Sequence, residues 1–243
     1  MFPLGDDNSQ VTKIPYVNYA FIAVNILVFL LLQGAGYNEG FNGSFSLVPR
    51  EITTGVDVQG VQIIKDSSGQ VLGRIMLGDT PGSVYLTFLS SMFMHGGFMH
   101  IFGNMLFLWI FGDNIEDRIG HIRYVVFYLL CGFLAAMAQV LMDTNSLIPM
   151  LGASGAISGV LGGYILLFPR NQVRVIMLNS VLTTVPAFVA VGLWIVFQIV
   201  QGYLAGAGGG GVAYAAHIGG FIGGFALIKI FAIGTGRISP QRQ

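Results

Sequence analysis

Six stretches of the chain stay apolar over the length of a membrane span, at about residues 16–32, 97–111, 124–142, 154–168, 185–204 and 214–232, and each predicts a helix. The second and fourth are short for a hydrocarbon layer of roughly 30 Å, which is tolerable where their ends sit in loops or against protein. Between the first and second, residues 33–83 are mixed, Gly-rich and polar. There "VQGVQIIKDSSGQVLGRIM" predicts two strands around a Ser-Ser-Gly turn, a small exterior β-hairpin. The following "TPGSVYLTFLSSMFM" alternates Phe, Leu and Met with Ser and Thr, as for a helix opened by Pro81 and lying at the interface. The charged "GDNIEDRIGHIR" reads as a tight cytoplasmic turn and the "AGAGGGG" of 205–211 as a flexible exterior one.

Composition sharpens this pattern. The chain is 54% hydrophobic and 9% charged, too little polar surface for a water-soluble globule, so it belongs in lipid. Zero net charge without a basic cluster argues against nucleic acid as a partner. The single cysteine, Cys131, lies in an apolar stretch, reads as a small core residue and supplies neither a disulfide framework nor a thiol pair for zinc. The residues before the first span, "MFPLGDDNSQVTK", carry two Asp against one Lys, unlike a signal peptide, so that span is expected to be retained.

Positive residues set the orientation. Lys13, Arg118, Arg123, Arg170, Arg174, Lys229, Arg237 and Arg242 fall on one side; Arg50, Lys65 and Arg74 share one long loop on the other. Both termini are therefore expected to be cytoplasmic. The expected organisation is a cytoplasmic segment at 1–15, a six-helix domain at 16–232 with 33–83 as an exterior loop insertion, and a disordered cytoplasmic tail at 233–243.

With that orientation the second, fourth and sixth spans all run from outside to inside, and each begins with polar side chains. The second opens "HGGFMHIFGNM" with His95, His100 and Asn104, the fourth opens at Ser154, and the sixth opens "YAAHIGGFIGG" with His217. All lie within the first turns of their helices, about 5–10 Å below the surface at about 1.5 Å per residue, so they can meet. Strongly polar groups in a span are expensive and point to function. His100 and Asn104, four apart, share a helix face; they serve either as site residues or as hydrogen-bonded ties between helices. His95 lies off that face and reads as a loop anchor.

Gly155, Gly159 and Gly163 recur every four residues behind Ser154, and Gly220 and Gly224 lie on the face of His217. These small-residue stripes let helices approach closely. Docking them would bring the serine against the imidazole, a nucleophile beside its general base. His100, Asn104 and the Ser154 N–H are candidate donors to the oxyanion. Ser158, one turn below, reads as a helix-packing or back-bonding hydroxyl. An acid to orient the histidine is not evident: Glu116 and Asp117 lie at the far end of the second span, and the expectation is a Ser-His dyad. Three histidines near one face raise a metal reading, against which stand the lack of a His-Glu-x-x-His, a cysteine ligand or a carboxylate at that depth.

The "GASG" around Ser154, "AHIGGFIGG" at His217 and "HGGFMHIFGNM" with His100 and Asn104, in that arrangement on three spans, resemble the rhomboid intramembrane serine proteases, and "FGDNIEDRIG" is similar to their Glu-x-Arg turn. The resemblance covers about residues 84–232 plus the first span. It implies an all-α, six-transmembrane-helix rhomboid-like bundle with no cofactor and no metal, in which Ser154 is the nucleophile, His217 the base, and His100 and Asn104 the oxyanion donors. Gly152 and Gly155 match the glycines flanking the family serine, and His95 the supporting histidine. It further implies a multi-pass protein, expected in the plasma membrane of a prokaryote, cleaving transmembrane protein substrates within the lipid bilayer. Activity should then fall as His217 protonates, near pH ~6.5 if unperturbed. Two departures stand out: some members carry a stacking tyrosine where this chain has Ser158, and the first loop is enlarged. The rival reading is a non-catalytic rhomboid-like escort of membrane clients, which typically lacks the serine or the histidine; this chain has both. A transporter fits less well, because no span carries a charge away from its ends.

Overall fold

The computed structural model describes residues 2–65, 69–177, 181–205 and 212–235. Most of the Ser-Ser-Gly turn, most of the Gly-rich loop at 205–211 and most of the tail expected at 233–243 lie outside the described residues. The molecule is mostly helical, and helix α7 (Ser154–Leu167) sits at its centre. Around α7 pack α5 (Phe98–Ile119), α6 (His121–Met142), α8 (Ala187–Ala205) and α9 (Tyr214–Phe231). A helix that is apolar all round finds its partners on every side. Residues 155–164 of α7 are accordingly buried without exception, and this short, Gly-rich helix is sheltered by protein.

Close approach explains the glycines. A methyl group at Gly220 would overlap the carbonyl of Gly155, and one at Gly224 the carbonyl of Gly159, so α7 and α9 meet backbone to backbone. The Cβ directions of Gly155 and Gly159 point instead at Ala135 and Cys131 of α6, while that of Gly163 lies 3.1 Å from Ile228 of α9 and 3.2 Å from Phe127 of α6. The stripe behind Ser154 thus serves two neighbours at once. Gly162, which the four-residue spacing does not mark, is the one whose Cβ would strike the Phe221 carbonyl of α9.

By length and composition, three helices among the described residues could cross a membrane: His121–Met142, Ala187–Leu204 and Tyr214–Phe231. The apolar stretches at Tyr16–Leu32 and Ser154–Leu167 are shorter helices. Helix α5 runs 22 residues, well beyond the apolar stretch at 97–111, because the charged groups of its last turns find partners in the protein. Glu116, fully buried, accepts from the N–H groups of Val17 (2.9 Å) and Asn18 (2.7 Å) at the start of α1 (Tyr16–Leu27), where an α-helix has no carbonyls of its own to offer. Asp117 takes the N–H groups of Thr12 and Lys13, and Arg123 donates to the Phe231 and Ile233 carbonyls at the end of α9. The segment read as a tight turn is therefore mostly helix, with the turn confined to Gly120 between α5 and α6.

A three-stranded antiparallel sheet at this end of the molecule is not anticipated by the hydropathy pattern. Strand β1 (Phe2–Asp6) pairs with β4 (Gln172–Ile176), which pairs with β5 (Leu182–Pro186), with Pro3 opposite Val175 and Asp6 opposite Val173. Alternate residues Val173 and Val175 are fully buried against the helical core. In the loop at 33–83, β2 (Gly60–Lys65) and β3 (Val71–Leu77) pair antiparallel with Ile63 opposite Arg74. Two short helices, α2 (Glu39–Phe45) and α3 (Pro49–Thr54), precede them; Asn38 caps the first, and Pro49 opens the second. The helical stretch after the hairpin, including α4 (Thr87–Ser90), begins at Val84 rather than Pro81, with the Ser83 hydroxyl accepting from the Tyr85 N–H.

Candidate active site

Three chain segments converge at the head of α7. The loop at 33–83 grips the segment that leads into the helix: Leu47 and Met150 exchange backbone hydrogen bonds, and Arg50 N–H donates to the Ser146 carbonyl. The Gly152 N–H donates to the Ser91 carbonyl at 2.9 Å. Gly152 has φ +137°, a left-handed conformation open to glycine. A Cβ there would lie 2.9 Å from Cε1 and 3.0 Å from Nε2 of His100, so the missing side chain is what admits the imidazole. Ser154 follows as the first residue of α7, where its N–H has no carbonyl to bond within the helix.

Helix α9 brings His217 to the same place. Its Nε2 lies 2.8 Å from Ser154 Oγ, and its Nδ1 lies 2.7 Å from Oε1 of Gln198 on α8. Trp194, one turn before Gln198, packs its ring 6.1 Å from that of His217. Ser158 donates its hydroxyl to the Ser154 carbonyl at 2.6 Å, while α8 meets the imidazole through Gln198 and Trp194.

From α5 come His100 and Asn104. The Gly96 N–H donates to His100 Nδ1 at 3.2 Å, which leaves the proton of the neutral ring on Nε2, the nitrogen facing Gly152. Asn104 is buried, and its Nδ2 has no hydrogen-bond partner among the described residues. Both line, with Ser154, His217, Gln198 and Trp194, a cavity of about 1450 Å³. His95 is fully buried outside it. Its backbone, not its ring, anchors the loop: its N–H donates to Gln33 Oε1 at 2.8 Å and its carbonyl accepts from Gln33 Nε2 at 3.0 Å. The His95 ring sits edge-on to that of His100, 5.2 Å away.

Ser154, His217, His100, Asn104 and Gly152 thus come together, while Gly155, Gly159, Gly163, Gly220 and Gly224 form the helix contacts beneath them. Gln198 is the residue the sequence reading passed over. A lone amide in the otherwise apolar "VGLWIVFQIV" is the signal that marks it. Among the described residues, no group of three or more His, Cys, Asp and Glu side chains could hold a metal ion.

Comparison with known proteins matches residues 82–233 to the Rhomboid domain. The chain is 28% identical over 211 residues to the "Rhomboid protease GluP" of Bacillus subtilis (strain 168), covering 87% of this chain and 34% of that protein. It is 37% identical over 139 residues to "RHOMBOID-like protein 4" of Arabidopsis thaliana, covering 57% of this chain and 32% of that one. "RHOMBOID-like protein 5" of the same plant matches at 30% over 146 residues, covering 57% and 41% respectively. The chain therefore spans about a third to two fifths of the length of these relatives.

Proposed function

This chain belongs to the rhomboid family of membrane proteins, and on that premise we propose that it is an intramembrane serine endopeptidase that cleaves transmembrane proteins near the outer face of the membrane. The observation that carries the proposal is the 2.8 Å separation of Ser154 Oγ and His217 Nε2, both of which line a cavity. Six helices span the bilayer in this reading: α1 with the π-helical turn that extends it to Leu32, and α5 to α9. Both termini face the cytoplasm, in the plasma membrane of a prokaryote, and the 33–83 loop with its β2–β3 hairpin lies outside. The burial of α7 among other helices supports a short span there, and the paired charges at the end of α5 support a cytoplasmic end for that helix.

The chemistry proceeds through an acyl-enzyme. Ser154 Oγ attacks the scissile carbonyl carbon while its proton passes to His217 Nε2. Charge collects on the former carbonyl oxygen, where the Ser154 N–H, Asn104 Nδ2–H and His100 Nε2–H are the available donors. Collapse breaks the C–N bond, His217 delivers its proton to the leaving amine, and the carboxyl half of the substrate departs with a new amino terminus. Water then attacks the ester with His217 as base again, releasing a carboxylate and restoring the serine. A substrate helix must unwind locally to present its carbonyl, since a helical amide is internally bonded and covered. Small or helix-breaking residues near its outer end favour cleavage. Reconstitution with a single-span reporter substrate tests the proposal: wild type should release one pair of fragments whose junction lies near the outer end of the span, and Ser154→Ala should release none. Cleavage that survives Ser154→Ala would refute it.

A further inference from the structure

We propose that Gln198 is the positioning residue for His217, filling with a neutral amide the role that a buried acid takes in a catalytic triad. The inference rests on the serine-protease reading above and extends it to a third residue. Gln198 Oε1 lies 2.7 Å from Nδ1 of His217, while the other ring nitrogen faces Ser154 at 2.8 Å. An amide oxygen can only accept, so Nδ1 carries the ring proton and Nε2 offers its lone pair to the serine hydroxyl. The opposite arrangement, an amide N–H donating to Nδ1, would put the proton on Nε2 and leave Ser154 without a base.

Two further features fit a positioning role. Gln198 is buried on α8, with Phe197 and Ile199 beside it in the chain, and a buried amide is costly unless it is bonded. Trp194 lies four residues earlier on the same face of α8 and packs its ring at 6.1 Å and 37° from the imidazole, so one helix face supplies both the hydrogen bond and a wall for the ring. A neutral partner avoids burying a carboxylate at this depth, and leaves the imidazolium formed during turnover without a counter-charge from α8. The titratable groups around the cavity are His100 from α5, Asp143 at the end of α6, Tyr203 from α8 and Tyr214 from α9.

The test uses the full chain in proteoliposomes with a transmembrane substrate and three proteins: wild type, Gln198→Met and Gln198→Glu. Methionine keeps the length of the side chain and removes the acceptor; kcat should fall by about 10- to 100-fold with KM unchanged, the scale of a misplaced catalytic group. Glutamate keeps the acceptor and adds a charge that favours the imidazolium, so it should retain more turnover than Gln198→Met at high pH and move the acid limb of the pH–rate profile upward. A Gln198→Met variant that turns over like wild type overturns the proposal, as do equal losses in both variants with an unmoved acid limb. Should Gln198→Met fail to fold, as read by thermal unfolding, the acid limb of Gln198→Glu decides alone. Fluorophosphonate labelling separates the two levels of inference. Unlabelled wild type refutes the serine reading itself; wild type and Gln198→Met labelling equally fast leave that reading standing and sink this one.

Discussion

The Gly220 backbone lies against the Gly155 carbonyl so closely that no side chain fits between them. Ser154, the residue before Gly155, and His217, one turn before Gly220, are 63 positions apart in the chain and come within hydrogen-bond distance. The glycines and the polar pair are one construction: the first sets the spacing of α7 and α9, and the second exploits it.

Gly220→Ala should therefore force the helices apart and cost both stability and chemistry. Overpacking of this kind typically costs roughly 1–3 kcal/mol. Thermal unfolding in detergent should show the loss, together with a slower reaction of Ser154 with a fluorophosphonate. Gly192→Ala on α8, where a methyl group meets nothing within 4 Å, should leave both unchanged.

Asn104→Ala should leave the fold intact and remove one of the proposed oxyanion donors. The expected loss in turnover is on the order of 10²- to 10³-fold. Gly152→Ala should act on the same step by another route, since its methyl group would displace the His100 ring from 2.9 Å and strain a backbone at φ +137°. Steady-state kinetics with KM preserved in Asn104→Ala would bear out this assignment; a loss confined to KM would contradict it.

Much of this was legible in the sequence. Ser154, His217, His100 and Asn104 announce themselves as polar groups in apolar surroundings, and the small-residue stripes announce a close helix contact. Gln198 carries the same signal but lacks a glycine stripe or a neighbouring motif to draw notice. The β1–β4–β5 sheet is harder to read. "QVRVI" does alternate, with Val173 and Val175 buried, but its partner β1 lies some 170 residues away, and strand pairing over such a distance leaves no local trace. Helix α5 outruns its apolar stretch because Glu116 and Asp117 find backbone N–H partners at Thr12, Lys13, Val17 and Asn18, which hydropathy cannot register.

Glu116→Ala should release the start of α1 from α5. Two N–H groups would lose a charged acceptor in a buried setting, a destabilisation of roughly 2–3 kcal/mol, with fluorophosphonate reactivity of the folded fraction preserved. A variant as stable as wild type would show that water substitutes for the carboxylate.

Attachment of β1 should depend on pH through Asp6. Burial lifts its carboxyl to about 7; the hydrogen bond from Tyr164 opposes that rise and the nearby Asp113 carboxylate adds to it. The sign follows from the direction of the shift. A carboxyl whose folded value is raised binds its proton more tightly in the folded state, so its contribution is fully present below the ordinary value of 3.8 and is lost as pH rises through about 7. Thermal stability of wild type should fall between about pH 4 and 7, and Asp6→Asn should flatten that fall. Equal slopes in the two proteins would contradict the assignment.

The most direct test of the central contact is fluorophosphonate labelling of the membrane-reconstituted protein, with the modified peptide identified by mass spectrometry. The account predicts a single adduct on Ser154 in wild type, loss of that adduct in Ser154→Ala, and labelling slowed by at least about 10²-fold in His217→Ala, whose serine has lost its base. An adduct elsewhere, or a His217→Ala protein that labels as fast as wild type, would mean that the hydroxyl and the imidazole are neighbours without being partners.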